Sequence, residues 1–219
     1  MTAASLISHE IIPLRTSHTG QEALDLMRDN NVLHLPIVNN KQLLGLVSED
    51  DVLEHDVEEA IGSYQLSLNK PYARQDDHVF DVLAQVARLG LTVIPVIDQD
   101  DNYLGMISQH ILLEFFSRSF SFAETGSIIV LEMKKPDYML SEIARIIESE
   151  NMAVLNSFIT DEPQSNQILV HLKVNKQDVH RVIAAFERFD YRIKAMYSES
   201  ENTDMYRDRI DALMNYLNI

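Results

Sequence analysis

One stretch of this chain is written twice. Residues 32–53, VLHLPIVNNKQLLGLVSEDDVL, return about sixty residues later as LTVIPVIDQDDNYLGMISQHILL, so the first half is a duplicated unit. In each copy an apolar run ends around a proline (Pro36, Pro95) and a polar turn follows. A second apolar run then passes through a glycine (Gly45, Gly105), and a serine (Ser48, Ser108) opens a helix-like segment. The order reads strand, hairpin, strand, helix. A further helix precedes each copy. Thr19 and Glu22 form a capping box at the start of the first, whose apolar face is Ala23, Leu24 and Met27; Val82, Leu83 and Val86 repeat that face in the second.

The copies differ where chemistry is at stake. Copy one reads Gly45, Leu46, Val47, Ser48, Glu49, Asp50, Asp51, and copy two reads Gly105, Met106, Ile107, Ser108, Gln109, His110, Ile111. Only the first has a carboxylate three residues after its serine. A hydroxyl and a carboxylate placed side by side suit a ribose diol, because the hydroxyl donates or accepts and the carboxylate accepts from two vicinal hydroxyls. The adjoining helix N-terminus would favour a phosphate. The same spacing also describes an N-cap, with Ser48 capping and Asp51 supporting the first turn. Spacing alone leaves both roles open.

The whole repeat resembles a tandem pair of CBS domains, small βαββα modules that act in pairs as sensors of adenine nucleotides and related adenosyl ligands. The resemblance rests on Pro36 and Pro95, Gly45 and Gly105, and the Gly45, Ser48, Asp51 ribose motif, and it covers roughly residues 5–118. It implies one complete nucleotide site, beside copy one, with Gly45, Ser48 and Asp51 at the ribose and phosphate. The strand Leu33, His34, Leu35, Pro36 would line the adenine pocket, and Ile12 on the lead-in is assigned to the same pocket. The implied ligand is AMP, ADP, ATP or S-adenosylmethionine. Copy two departs from the motif at Ile111. Its closing helix is far more apolar than that of copy one, LLEFF against LEHDV, and is read as a dimer interface, since paired CBS modules commonly assemble through these helices.

Composition narrows the classes further. The chain has 219 residues, is 46% hydrophobic and has no cysteine, so a real core is available and thiolate chemistry, disulfides and cysteine metal sites are excluded. A formal charge of −16 argues against binding nucleic acid or an anionic membrane. It also disfavours a phosphorylated ligand at long range, so a nucleotide site would need local cations; Arg15, Lys41, Lys70 and Arg74 are nearest in sequence. The run Glu54, His55, Asp56, Glu58, Glu59 is consecutive and fans around a helix, which makes it a solvated face and no metal site. No signal-type or membrane-spanning apolar run occurs, and a cytoplasmic protein is expected.

After residues 117–126, read as a linker, the pattern changes to strand, helix, strand, strand, helix, strand. That is the βαββαβ order of a ferredoxin-like sandwich, supported by helix faces Ile143, Ile146, Ile147 and Val179, Val182, Ile183, Phe186. This half resembles an ACT domain, which typically binds amino acids at the turn after its first strand. Tyr138 stands where that family has glycine, and a tyrosine closes the approach to the backbone. The expected organisation is therefore α+β: residues 1–62 and 63–120 as the CBS pair, 127–198 as the ACT-like domain, and 199–219 as a tail helix with a stripe of Ile210, Leu213, Met214 and Leu217.

No phosphate-loop, dinucleotide-fingerprint, zinc-protease or nucleophile-elbow motif is present, so a non-catalytic regulatory sensor is expected. It would be a homodimer with a possible protein partner, and its ligand would change the arrangement of the dimer or partner. The alternative is a ligand-free dimerisation or protein-interaction module.

Overall fold

A computed structural model describes residues 1–67, 70–162 and 165–198, and the chain divides into two compact units, Met1–Phe116 and the part from Ser117 onward. The tail-helix expectation for residues 199–219 lies outside the described residues.

In the first unit, helix α1 (Gly20–Asp29) starts on the capping box read from the sequence. Thr19 Oγ1 accepts from Glu22 N at 3.2 Å, and the Glu22 carboxylate accepts from Thr19 N at 2.9 Å. Strands β1 (His34–Asn39) and β2 (Gln42–Ser48) form an antiparallel hairpin. Its two-residue turn, Asn40 and Lys41, has φ of 44° and 71°, the doubly positive geometry that matches strand twist. The short helix α2 (Glu49–Leu53) follows. Copy two adds β3 (Ala73–Arg74), α3 (Val79–Leu89), β4 (Val93–Ile97), β5 (Tyr103–Ser108) and α4 (Gln109–Ser119). Because α4 runs to Ser119, the linker expected over residues 117–126 begins inside a helix.

The segment between the copies carries more structure than a linker. Ala73 pairs in parallel with Val96 on β4, and Leu14 makes the same parallel bridge to Ile37 on β1. The repeat is thus reproduced beyond its obvious boundaries. The copies also meet through equivalent positions: Leu33 N donates to Thr92 Oγ1 at 2.9 Å, across 59 residues, and these two residues hold the same place in the repeat. The carbonyls of the same pair accept from Glu49 N and Gln109 N, again equivalent residues. Leu35, Leu46, Val47, Val93, Ile94, Met106 and Ile107 fill one continuous core with no measurable exposure. At about 1.5–3 kcal/mol for each large side chain, that burial is the main force joining the copies.

In the second unit, β6 (Ser127–Lys134), α5 (Leu140–Ser149), β7 (Val154–Asp161), β8 (Gln167–Val174), α6 (His180–Arg188) and β9 (Arg192–Ser198) appear in the expected order. The sheet runs β7-β8-β6-β9 with every neighbour antiparallel, the ferredoxin-like topology. Alternate residues Ile168, Val170, Leu172 and Val174 meet Ile143, Ile146, Val182 and Phe186 of the helices. Tyr138 is half-buried against this core, so the turn after β6 carries a packed ring where an open backbone was the alternative. Among the described residues no helix is long and apolar enough to cross a membrane.

Candidate functional site

The site grows from the junction of β2 and α2. Ser48 leaves the strand with extended backbone (φ −96°, ψ 162°), and that geometry aims its side chain at the first turn of the helix. Ser48 Oγ accepts from Asp51 N at 3.0 Å and donates to Asp51 Oδ2 at 2.7 Å; Oδ2 also accepts from Ser48 N at 2.9 Å. The other oxygen, Oδ1, accepts from Ser67 N at 2.8 Å. Asp51 is only 2% exposed. Burial pushes its carboxyl up, but the bonds from the Ser48 hydroxyl and amide and from Ser67 outweigh that and hold it below its ordinary value.

His34 faces the same place from β1. Its Nδ1 lies 3.3 Å from Thr92 N, an obligate donor, so Nδ1 is the accepting nitrogen; the Thr92 hydroxyl, 3.1 Å away, then also donates to it. The proton of the neutral ring therefore sits on Nε2. Burial lowers the pKa of His34, partly offset by Asp51 and Asp50. Together His34, Ser48, Asp50, Asp51, Glu54 and Ser67 line a cavity of about 320 Å³.

The segment entering copy two is tied to this cavity. His55 Nδ1 donates to Asp51 O at 2.7 Å while Nε2 accepts from Gln65 N at 3.4 Å. Its ring stacks on Tyr64 at 4.4 Å, and the Tyr64 hydroxyl donates to Asp56 O at 2.8 Å. Residues 64–67 thus lie along α2, with Ser67 fastened to Asp51 itself.

Of the residues expected at the ligand, Ser48, Asp51 and His34 come together at this cavity, and the others do not line it. Leu35 and Pro36 are buried, and Leu35 belongs to the core, because the strand packs inward there. Gly45 is buried with its α-carbon turned toward Leu66, so it shapes the hairpin. Leu33 borders a different cavity, of about 550 Å³, between α1 and α2. Ile12 is 65% exposed on the lead-in. The expectation of a phosphate-favouring helix end also needs correcting: α2 has five residues and carries Glu49, Asp50 and Asp51 in its first turn, so its dipole is short and already faced by carboxylates. Arg15, Lys41, Lys70 and Arg74 are not among the lining residues. Arg74 instead reaches Asp101 at 3.2 Å and Asp98 O at 3.1 Å.

Ser67 is the contributor that the sequence reading missed. The repeat held a signal for it, since Ser67 falls at the position of Ser8, and Ser8 N donates to Met106 O in copy two. The equivalent cleft of copy two, about 600 Å³, is bordered by Thr92, Ser108, Gln109 and His110 together with Asn30 and Glu10. There Ser108 Oγ accepts from Ile111 N at 3.3 Å, and Ile111 supplies no carboxylate. The roomier cleft is therefore the one without the ribose-type acceptor. Among the described residues no group of three or more His, Cys, Asp or Glu side chains is placed to hold a metal ion.

Comparison with known proteins places these features. The family model described as CBS domain matches residues 3–58 and 65–118. An uncharacterised protein of Methanocaldococcus jannaschii is 23% identical over 103 residues, 47% of this chain and 39% of that protein. A homoserine O-acetyltransferase of Methanococcus vannielii is 30% identical over 98 residues, 42% of this chain and 20% of that protein. The matches thus span well under half the length of these curated relatives. Among solved structures, a CBS domain pair/ACT domain protein from Thermotoga maritima is 20% identical and covers 54% of this chain and 98% of its own, with a TM-score of 0.49.

Proposed function

This chain belongs to the CBS domain family through both of its repeats, and from that premise we propose that its first unit is a non-catalytic sensor of an adenosine-containing ligand, bound at Ser48, Asp51 and His34. CBS pairs are in general regulatory, nucleotide-binding modules. The observation that carries the reading is the buried Asp51 carboxylate at the cavity. If its role were only to cap, copy one would need no more than copy two has, where serine alone caps the eleven-residue α4. Copy one instead buries a charge beside a five-residue helix, a costly arrangement unless the charge has further work. An ionised carboxylate retains acceptor capacity beyond three donors, enough for a ribose hydroxyl.

Signalling follows from the same contacts. A ribose bound to Asp51 shares or displaces the bond to Ser67, and residues 64–67 lead into copy two. The ligand shifts the module only to the extent that it binds one arrangement of that segment more tightly. A homodimer is the expected assembly, through helix faces on which Phe80 and Leu113 are exposed, with the ligand altering the disposition of dimer or partner and the second unit serving as relay or dimerisation element.

The test is thermal unfolding of the protein with millimolar adenosine compounds, S-adenosylmethionine, AMP, ADP and ATP included. A ligand at 100 times its Kd stabilises by about 2.7 kcal/mol. The expected result is a rise with at least one of them that is lost in Asp51→Asn. The alternative, a ligand-free dimerisation or interaction module, is favoured by one observation, that both Asp51 oxygens already have partners. It predicts no shift with any of them.

A further inference from the structure

We propose that the Ser48–Asp51 cleft selects adenosine-type ligands that carry no net negative charge, and excludes nucleotides. The inference rests on the sensor reading above and adds the charge class of the ligand. Its ground is the lining: Asp50, Asp51 and Glu54 supply three carboxylates, His34, Ser48 and Ser67 supply neutral groups, and among the described residues no lysine or arginine borders the cavity. His34 does not compensate them, because Thr92 N–H occupies its Nδ1 and a second ring proton would face that donor. Asp51 stays anionic for the opposite reason, since every contact to it is a donor.

The local backbone offers a phosphate no better welcome. The amide of Asp51 already donates to Ser48 Oγ, and the α2 first turn presents two further acidic side chains, Glu49 and Asp50. A phosphate beside three carboxylates in a partly enclosed cleft meets repulsion that salt screens only in part. A ribose without phosphate meets acceptors for its hydroxyls. A cationic extension, such as the sulfonium and amine of an adenosyl sulfonium, meets attraction from Asp50 and Glu54, both on the solvent side of α2.

The test is isothermal titration of the full chain with adenosine, S-adenosylmethionine, AMP and ATP, in EDTA so that no divalent ion bridges phosphate to carboxylate. The expected result is binding of adenosine or S-adenosylmethionine at least about ten-fold tighter than AMP or ATP. The gap between adenosine and AMP should narrow in Asp50→Asn/Glu54→Gln, a double variant of exposed residues that removes two of the three lining charges. AMP or ATP binding as tightly as adenosine would overturn the charge selection and leave the sensor reading standing. Silence from all four compounds would overturn both. Nucleotide binding that survives Asp51→Asn would move the ligand to the copy-two cleft, and the proposal would fail there too.

Discussion

Asp51 and His34 show how single side chains hold the site in one protonation state. Asp51→Ala removes the acceptor for Ser48 N and Ser67 N at once. Loss of a cap costs about 1 kcal/mol and each stranded buried donor a further ~1–3 kcal/mol, so urea unfolding should show a loss of at least about 2 kcal/mol. Asp51→Asn, which keeps the shape and one acceptor oxygen, should lose clearly less stability while still losing ligand. Equal losses in the two variants would show that the charge itself holds the segment. For His34, burial lowers the folded-state pKa below the ordinary imidazole value of about 6.5. The unfolded chain then takes up its proton before the folded one. The contribution of His34 is therefore fully present above about pH 6.5 and declines as pH falls through and below that value toward the folded pKa. A proton NMR titration should find its midpoint below the ordinary imidazole value of about 6.5. A midpoint at or above that value would contradict the Thr92-accepting tautomer.

At the scale of elements, the duplicated hairpins invite a paired experiment. Both carry a register shift, between Ile37 and Val38 and between Val96 and Ile97, beside the glycine of the second strand. The glycines are nevertheless unequal. A Cβ on Gly45 would meet only Leu66 Cδ1, at 2.6 Å, the far end of a flexible side chain. Gly105 has φ of 152° and would press on Ile7, on His9 at 3.1 Å and on the Ser8 carbonyl at 3.1 Å. Gly45→Ala should cost about 1 kcal/mol or less, and Gly105→Ala about 2–3 kcal/mol, by strain together with overpacking. Thermal unfolding of the two variants compares them directly, and equal costs would refute the difference. Such inequality is not legible in the sequence, where the two glycines sit in matching words. What the sequence did carry was local: the Thr19–Glu22 capping box, the Asn40 turn, the strands around the prolines and the βαββαβ order depend on near neighbours or simple periodicity. The latch of Ser67 on Asp51 and the parallel pairing of Ala73 with Val96 join residues far apart in the chain, and no local pattern records them. Likewise the family resemblance assigns Leu35 to the ligand on the strand and Ile12 on the lead-in, but packing decides that Leu35 is buried and Ile12 exposed.

For the molecule as a whole, the decisive fact is that, among the described residues, the hydrophobic cores of the two units share no residue. The first gathers both repeats around Leu35, Ile94 and Met106, and the second lies between one sheet and two helices around Phe186. Each core meets its own conformational entropy, so unfolding of the chain need not be two-state, and the transitions can be assigned by mutation. Phe186→Ala empties a fully buried ring and should destabilise the second unit by about 3–5 kcal/mol. If ligand binds only in the repeat, the adenosine-dependent rise in Tm belongs to the other transition and should have the same size in Phe186→Ala as in the unaltered chain. Differential scanning calorimetry reads both quantities in one experiment. Two transitions, one lowered by the mutation and the other raised by ligand, would establish a sensor whose fold and affinity are local to the first unit, leaving the second free to change its assembly without altering what is sensed. One transition moving with both perturbations would show instead that ligand and second core stabilise a single cooperative structure. Sensing would then be linked to the state of the second unit by mass action alone.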